Sequence, residues 1–405
     1  MSEWTSHKLA ELIDIKHGFA FKGEYFGEDP DGPILVTPGN FAIGGGFKEG
    51  KPKSYSGVIP EGFILSEGDL VVTMTDLSKA ADTLGYASLI PGGKTYLHNQ
   101  RIGKVVILKP GRVEKEFLHY ALRTDKYRQH VVGGATGTTV KHTSPTRIGQ
   151  YTLSLPPVTE QQAIAAVLRA LDGKIAINER IAATYQLLLQ LKFAELGLSR
   201  EPNGGAGVAV TELVEFNPKM AKPSAEEPVY VDMAALPTNQ ASIPCWTRRP
   251  PKSGPRFMNG DTLLARITPC LENGKTGYVD FMEDGEVGLG STEFIVMRSR
   301  RGVPAELSYF LARDDRFREH AIRNMIGSSG RQRVSAADVA NYVVNRPGAD
   351  VLAAFGCQAE TAFAHMRSLG SENRNLASLR DTLLPQLMSG RLRVKKAEKI
   401  VEDHT

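Results

Sequence analysis

Cysteine is scarce in this sequence: its 405 residues include only Cys245, Cys270 and Cys357, which lie far apart. A disulfide framework needs an even set of cysteines, and a zinc site needs ligands a few residues apart. The pattern therefore predicts neither a disulfide nor a metal site. Reduced thiols are typical of the cytoplasm, where we expect this protein to act.

Long apolar runs are also missing. No stretch approaches the roughly 18 apolar residues of a membrane helix, and Met1–Lys8 is too polar for a signal peptide. The formal net charge is only +4, a small basic excess that permits a nucleic acid partner without requiring one. Length and composition predict two or three globular domains and no membrane contact.

The motifs of two enzyme classes are incomplete. Adenine methyltransferases carry an Asn/Asp-Pro-Pro-aromatic motif, but an apolar or basic residue closes Pro156-Pro157-Val158 and Pro250-Pro251-Lys252. Gly93-Lys94-Thr95 and Gly274-Lys275-Thr276 end like phosphate-binding loops, yet both lack the first glycine. Neither methyl transfer nor nucleotide binding is therefore predicted.

One nuclease-like pattern keeps an enzyme alternative open. Asp31, Glu49 and Lys51 match nucleases in which two carboxylates hold a divalent metal. Glu49 and Lys51 follow Gly44-Gly45-Gly46, which favours an exposed loop over the buried strand that such a site needs. The alternative function is a stand-alone metal-dependent nuclease, which would cleave DNA with magnesium.

A long helix is predicted from Thr159 to about Leu196. Pro156-Pro157 prevents an earlier start, and Thr159 with Gln162 matches a capping box. Apolar or small residues then recur at alternating gaps of four and three, which is typical of a coiled-coil seam. The seam comprises Ile164, Leu168, Leu171, Ile175, Asn178, Ala182, Tyr185 and Leu189. At about 1.5 Å per residue the helix would be roughly 55 Å long, a suitable spacer.

The same spacing returns in a second helix that should end or kink near Pro385. Its seam comprises Phe355, Ala359, Ala362, Met366, Leu369, Asn373, Leu376, Arg380 and Leu383. A polar seam residue costs stability but fixes register and partner. Asn178 and Asn373 either pair between the two helices or reach water from the seam edges.

The segments before the two helices resemble each other at an offset of about 190 residues. Lys8–Asp14 matches Ala209–Glu215, and Arg123–His130 matches Arg313–His320. The predicted organisation is a first domain at 1–155, a helix at 156–198, a linker at 199–207, a second domain at 208–348, a helix at 349–390 and a basic tail at 391–405.

Both domains contain short β-branched segments bounded by glycine, proline and aspartate, with one helix each at Glu116–His130 and Ala305–Ile322. We predict an α+β fold in which two β-rich α/β globular domains are separated by two long antiparallel coiled-coil helices, as a pseudo-two-fold internal repeat. Such a protein matches the two-fold symmetry of duplex DNA. Since the two domains differ in sequence, they would read different half-sites.

Two turns rich in hydroxyls and cations occupy equivalent places in the domains. Hydroxyls bind phosphates, Arg or Lys reaches guanine, and Gln pairs with adenine; alternatively the hydroxyls only cap the next element. The candidate DNA-binding residues of the turns are Thr138, Thr139, Lys141, His142, Ser328, Ser329, Arg331, Gln332 and Arg333. Weaker candidates are Thr73, Thr75, Lys79, Arg266, Thr268 and Lys275. A basic stretch near Trp246 is either a backbone clamp or a solvated loop.

Two regions carry a family resemblance. Leu155–Ala165 with Leu171–Asn178 resembles the central conserved region of specificity (S) subunits of Type I restriction-modification enzymes, and Leu379–Gly390 resembles their distal conserved region. Asn345–Gly348 departs from the family, which usually has a second Leu-Pro-Pro there. The resemblance implies a non-catalytic phage-defence subunit with two target-recognition domains that bind a split, asymmetric site in double-stranded DNA.

The resemblance also implies partners. Two modification (methyltransferase) subunits would dock on the helices, and restriction (helicase-nuclease) subunits would join them. S-adenosylmethionine, ATP and magnesium would serve those partners, so no cofactor, metal or catalytic residue is expected in this chain. The seam and docking residues would be Leu168, Leu171, Ile175, Asn178, Tyr185, Leu189, Met366, Leu369, Asn373, Leu376 and Leu383. A DNA-binding adaptor for another modification system is a further alternative.

Overall fold

The computed structural model describes residues 4–78, 80–202, 207–251, 253–328 and 330–403. The chain divides into two compact units: the first comprises residues 1–173 and 376–405, and the second comprises residues 174–375. Each unit therefore contains one globular domain and part of each long helix. Residues 203–206 of the predicted linker lie outside the described residues.

The first unit contains thirteen short strands among its described residues. They are β1 (Thr5–Lys8), β2 (Ile13–His17), β3 (Phe26–Gly27), β4 (Ile34–Leu35), β5 (Ser54–Tyr55), β6 (Ile64–Leu65), β7 (Leu70–Thr73), β8 (Thr75–Asp76), β9 (Ala87–Leu89), β10 (Tyr96–Leu97), β11 (Ile102–Ile107), β12 (Lys141–His142) and β13 (Thr152–Leu155). An antiparallel sheet has the order β2-β11-β7-β9, and a second sheet has the order β3-β5-β4-β10-β6 with β4 and β10 parallel. Strands β1 and β13 form a separate two-stranded antiparallel sheet, which brings the two ends of the domain together.

The helices of the first unit begin with α1 (Lys115–Ala121), α2 (Asp125–Gly133) and α3 (Pro145–Gly149), followed by α4 (Val158–Glu195), which continues into the second unit. The prediction of one helix over Glu116–His130 is wrong, because the chain breaks between α1 and α2. Thr124 adopts the extended conformation of a helix N-cap before α2.

The second unit repeats this arrangement. Its strands are β14 (Val208–Ala209), β15 (Val214–Phe216), β16 (Val229–Val231), β17 (Thr247–Arg248), β18 (Arg256–Phe257), β19 (Asp261–Ala265), β20 (Thr276–Tyr278), β21 (Gly288–Gly290), β22 (Phe294–Ser299) and β23 (Val343–Val344). The antiparallel sheet β15-β22-β19-β20 has the order of β2-β11-β7-β9, and the sheet β17-β16-β21-β18 again contains one parallel pair, β16 with β21. The internal repeat predicted from the sequence is confirmed.

The helices of the second unit are α5 (Leu307–Arg313), α6 (Asp315–Arg323), α7 (Ala336–Ala340) and α8 (Ala349–Met388), which continues into the first unit. The prediction of one helix over Ala305–Ile322 is also wrong. The Asp314 carboxylate accepts a hydrogen bond from the Phe317 backbone N–H (3.1 Å) and starts α6 as an N-cap.

Within each unit, α4 and α8 pack side by side and antiparallel. In the second unit Asn178 lies against Asn373, Tyr185 against His365, and Phe193 against Phe355. In the first unit Asp172 of α4 binds Arg380 of α8. The partner residue decreases in number as the α4 residue increases, which defines the antiparallel direction.

Three boundary predictions need correction. Helix α4 begins at Val158, so Thr159 is not its N-cap. The start of the helix is held to the domain by the buried Gln161 side chain, whose amide N–H donates to the carbonyls of Arg112 and Pro156 (2.8 Å each). Helix α8 continues past Pro385 and ends at Met388, because a proline this close to the end of a helix removes only one backbone hydrogen bond. The predicted basic tail forms α9 (Val394–Glu402) in the first unit, with Ala397 buried.

Candidate nucleic-acid interface

A small three-segment ribbon lies beside the hydroxyl-rich turn of the first unit. Strand β8 pairs with β12, and Thr136 exchanges both backbone hydrogen bonds with His142 (3.0 and 2.9 Å). Thr75 Oγ1 lies 3.2 Å from His142 Nδ1. We call Thr75–Asp76 with Thr136–His142 the first ribbon.

An equivalent ribbon lies in the second unit. Ile326 exchanges both backbone hydrogen bonds with Arg333 (2.9 Å each), and Ile267 pairs with Arg333 from the other side. The Thr268 N–H donates to the Gln332 carbonyl (3.0 Å). We call Ile267–Thr268 with Ile326 and 331–333 the second ribbon. Its residues follow those of the first ribbon at the offset of about 190 that separates the repeats.

Glycine makes both turns possible. Gly137 has φ +91, and a Cβ atom there would lie only 2.0 Å from the Val140 carbonyl oxygen. Gly327 has φ +137. Because side chains are disfavoured at these positive φ values, glycine is needed where each ribbon turns.

Four predicted residues of the first unit lie on or beside the exposed turn: Thr138, Thr139, Lys141 and His142. The side chains of Thr138, Thr139 and Lys141 form no hydrogen bond or ion pair with the residues that the structure describes. They are therefore available to a ligand.

The two strand threonines are not equally available. Thr73 is buried, donates to the Thr83 carbonyl (2.8 Å) and accepts from the Gly85 N–H (3.0 Å). Thr75 is also buried and contacts His142. Thr73 and Thr75 thus support the first ribbon and do not present free hydroxyls; Lys79 lies outside the described residues.

Sequence reasoning missed the residue that anchors the first ribbon, Asp76. Its carboxylate accepts from the Ser78 N–H (2.6 Å), the Thr83 N–H (2.5 Å) and the Thr83 hydroxyl (2.8 Å). Burial raises the pKa of Asp76, but these hydrogen bonds outweigh burial and hold the pKa below its usual range. The signal available in the sequence was an aspartate directly after the apolar and β-branched segment Leu70–Thr75.

Two of the four predicted cations of the second unit, Arg333 and Lys275, are engaged. Arg333 binds Glu293 through Nε (2.8 Å) and Nη2 (2.7 Å), and these hydrogen bonds lower the pKa of Glu293. Lys275 Nζ donates to the Met233 carbonyl (2.7 Å), so this residue supports a loop. Arg266 is half-buried, and its Nε has no hydrogen-bond partner among the described residues.

Arg331 is the available cation of the second ribbon. Its side chain is exposed and forms no hydrogen bond or ion pair within the part of the chain that the structure describes. Ser328 is exposed beside it, Thr268 is buried and its hydroxyl accepts from the Gln332 N–H (3.1 Å), and Ser329 lies outside the described residues. Gln332 is half-buried.

The basic stretch near Trp246 is held by its own unit. Trp246 stacks on Phe281 with ring centroids 4.0 Å apart. Arg248 pairs with Glu286 (2.7 Å), and Arg249 lies over the Tyr230 ring. The remaining members are Arg256, which donates to the Met220 carbonyl, and Lys252, which lies outside the described residues. This arrangement favours a structural role over a free backbone clamp.

Comparison with known proteins relates this chain to Type I restriction-modification systems. Residues 1–184 match the family model of the Type I restriction modification DNA specificity domain. The chain is 28% identical over 194 residues to the specificity subunit of the Type I restriction enzyme EcoBI from Escherichia coli, a match that covers 48% of this chain and 38% of that protein. Through this match and this relative, the chain resembles the specificity subunits of Type I restriction-modification enzymes.

Two further relatives define the extent of the likeness. The EcoAI specificity subunit from Escherichia coli is 29% identical over 141 residues, covering 33% of this chain and 23% of that protein. The matches thus span well under two thirds of these curated relatives. The crystal structure of a Type I restriction-modification S subunit from M. genitalium aligns with this chain at a TM-score of 0.56 and 16% sequence identity. The alignment covers 95% of this chain and 96% of the M. genitalium chain. That agreement over almost the whole chain concerns the fold.

The predicted seam residues are buried or half-buried within their own unit. Leu168, Leu171, Asn178, Leu189, Met366, Leu369, Leu376 and Leu383 are buried, and Ile175, Tyr185 and Asn373 are half-buried. Asn178 Nδ2 donates to Asn373 Oδ1 (2.9 Å), so the hypothesis of paired asparagines is confirmed. A docking partner would meet other side chains, among them the exposed Ile177, Leu187, Leu188 and Leu191 of α4.

The nuclease pattern does not form a metal centre. Asp31, Glu49 and Lys51 are exposed, and Lys51 pairs with Glu28 (2.6 Å). Within residues 4–78, 80–202, 207–251, 253–328 and 330–403, no group of three His, Cys, Asp or Glu side chains is arranged to hold a metal ion. None of the helices in these ranges has the length and apolarity that a membrane crossing requires.

Proposed function

We propose that the chain is the DNA-recognition subunit of a Type I restriction-modification complex and binds a bipartite, asymmetric site in double-stranded DNA. The observation that carries this proposal is the pair of equivalent ribbons with different side chains, one in each unit. Equivalent backbones suit two similar DNA surfaces, whereas different side chains suit two different base sequences. We call the DNA read by each ribbon the first and second half-site.

The available side chains fit the two tasks of DNA recognition. Thr138 and Thr139 offer hydroxyls for phosphate oxygens, and Lys141 offers a cation. In the second ribbon Arg331 is free to form a two-pronged contact with guanine, whereas Arg333 is held by Glu293. Arg331 is therefore the stronger candidate for base reading.

The chemistry of the complex would belong to partner subunits. Two methyltransferase subunits, using S-adenosylmethionine, would dock on the helices, and restriction subunits using ATP and magnesium would join through them in the cytoplasm. Leu187, Leu188 and Leu191 support such docking, because several exposed leucines on one helix favour a protein partner. This chain would itself be non-catalytic and bind no cofactor.

Co-expression tests the proposal. The chain would be produced with methyltransferase subunits from the same source, and methylated adenines would be mapped at single-base resolution on the host genome. The expected result is methylation at one split, asymmetric motif only when this chain is present. Absence of both complex and methylation, or magnesium-dependent nicking by the purified chain alone, would contradict the proposal.

A further inference from the structure

One row of side chains crosses the second ribbon. Ile326 and Arg333 exchange both backbone hydrogen bonds, and Ile267 lies opposite Arg333 on its other side. Residues directly opposite each other in antiparallel segments project from the same face. Ile267, Arg333 and Ile326 therefore stand side by side, and we call them the apolar row.

The equivalent row of the first ribbon is polar. It consists of Thr75, His142 and Thr136, joined by the same backbone pairing. The contact between Thr75 Oγ1 and His142 Nδ1 (3.2 Å) agrees with side chains on one face. Two ribbons of the same backbone thus offer different chemistry to whatever lies against them.

The guanidinium group of Arg333 is not available to bind guanine. Glu293 takes its Nε and Nη2 donors, and Nη1 lies 3.3 Å from the Arg331 carbonyl. A base would have to displace Glu293 to receive the two-pronged contact. The alkyl stem of Arg333 remains, and it adds apolar surface between the two isoleucines.

Ile326 is the most exposed side chain of the apolar row. Its side chain is 77% exposed. The second ribbon carries Arg331 and Arg333, Arg266 directly precedes Ile267, and the carboxylate that faces these cations is that of Glu293. An anionic ligand is therefore attracted to a surface whose most accessible side chain is apolar. The ligand that joins both properties is duplex DNA, because its phosphates are negative and thymine presents a methyl group in the major groove.

We propose that Ile326 contacts the 5-methyl group of a thymine, so that the second half-site contains an A·T pair at one fixed position. The proposal rests on the proposed function, since it names one base class that the second ribbon selects. The Arg333 stem would support Ile326 from the side, with Ile267 on the far side of Arg333.

The test replaces thymine by deoxyuridine, which differs only by the missing methyl group. The full complex with methyltransferase subunits would bind duplexes that carry the mapped motif, with each thymine of either strand of the second half-site replaced in turn. We expect one replacement to weaken binding about fourfold, the size expected for burying one methyl group. In the Ile326→Ala complex the same replacement should change affinity less than twofold.

Thr136→Ala is the matched control, because Thr136 holds the equivalent place in the first ribbon; its complex should keep the fourfold effect. The inference is overturned by a second half-site without thymine, by equal affinity for all deoxyuridine duplexes, or by an effect that survives in Ile326→Ala. Failure of the proposed function looks different: the wild-type complex would then not distinguish its motif from a scrambled duplex.

Discussion

The two units attach their globular domains to the helix pair with different chemistry. In the first unit Asp172 of α4 accepts from Arg123 (3.0 Å), Arg380 (2.7 Å) and the Tyr120 hydroxyl (2.9 Å). At the place of Tyr120 the second unit has Phe310. Its ring packs with Phe193, Phe355 and Phe363 at centroid distances of 6.0, 5.8 and 6.0 Å. One unit is held by buried charge and the other by aromatic rings.

The arginine that the repeats share illustrates this difference. Arg123 is buried and connects the Gly44 carbonyl (2.7 Å) to Asp172, whereas the equivalent Arg313 is half-buried and donates to the Thr238 carbonyl (2.5 Å). Each arginine secures a loop of its domain, but only Arg123 depends on a carboxylate. A buried ion pair stabilises only when complete, whereas an aromatic cluster tolerates small changes.

Asp280 shows how the pKa of a carboxylate changes when fewer groups donate hydrogen bonds to it. Asp280 of the second unit faces Arg367 and Arg374 of α8, and burial raises its pKa to about 6 despite both cations. Asp172 is half-buried, and burial raises its pKa too, but Arg123 and Arg380 outweigh burial and hold the pKa below the usual range. Direct hydrogen bonds from two guanidinium groups and a hydroxyl account for the opposite outcome.

Removal of Asp172 should give the largest effect. In Asp172→Ala the buried Arg123 loses its charge partner, and the half-buried Arg380 loses one of its two, so the first unit should lose roughly 3–5 kcal/mol of stability. Hydrogen exchange of α1 amides in the full chain measures this loss. Asp381→Ala is the matched control, because Asp381 is an exposed partner of Arg380 (2.8 Å) and should cost less than about 1 kcal/mol. Equal effects of the two variants would refute the ionic attachment.

Asp280→Asn should act in the opposite direction. Because the folded pKa of Asp280 is about 6 and its unfolded value is about 3.9, its ionisation destabilises the fold as pH rises from about 4 through about 6. The amide removes that cost, so the variant should be more stable than wild type by about 2 kcal/mol at pH 7.5 and nearly equal at pH 4. Chemical denaturation at both pH values gives the comparison. A variant less stable than wild type at pH 7.5 would show that attraction to Arg367 and Arg374 prevails.

Phe310→Leu should weaken the aromatic attachment by about 1–2 kcal/mol, because volume is largely kept while ring contacts are lost. No charge is removed, so the loss should be the same in 50 mM and 500 mM salt, to be measured from hydrogen exchange of α5. A strong salt dependence would contradict an apolar attachment.

Acidification should have the smallest effect of these changes near neutral pH. At low pH it should destabilise the first unit before the second. Since the folded pKa of Asp172 is lowered, its contribution is present above the unfolded value of about 3.9 and is lost as pH falls through the folded pKa. Exchange measured between pH 5 and pH 2.5 should therefore accelerate in α1 before α5. Simultaneous loss in both helices would remove the distinction between the units.

Much of the fold could be predicted because local sequence patterns determine it. The alternating gaps of four and three located α4 and α8, and one asparagine in each seam led to the contact between Asn178 and Asn373. Matching at a fixed offset located the turn of each ribbon, since a repeat carries positional information that short motifs lack. The breaks before α2 and α6 were missed, although Thr124 and Asp314 are typical cap residues.

The missed or corrected site residues depend on contacts distant in sequence. Asp172 meets Arg380 across 208 positions, and Lys275 meets the Met233 carbonyl across 42. Neither partner follows from spacing along one helix or strand. For the same reason the sequence could not separate Arg331, which is free, from Arg333, which Glu293 holds.

Methylation mapping with one variant per ribbon tests the central claim most directly. Lys141→Ala and Arg331→Ala would each be co-expressed with methyltransferase subunits, and methylated adenines would be mapped beside wild type. We predict that Arg331→Ala relaxes base preference in one half of the split motif, roughly tenfold at a contacted base, and that any relaxation by Lys141→Ala falls in the other half. Relaxation of the same half by both variants, or an unchanged motif in Arg331→Ala, would contradict the account.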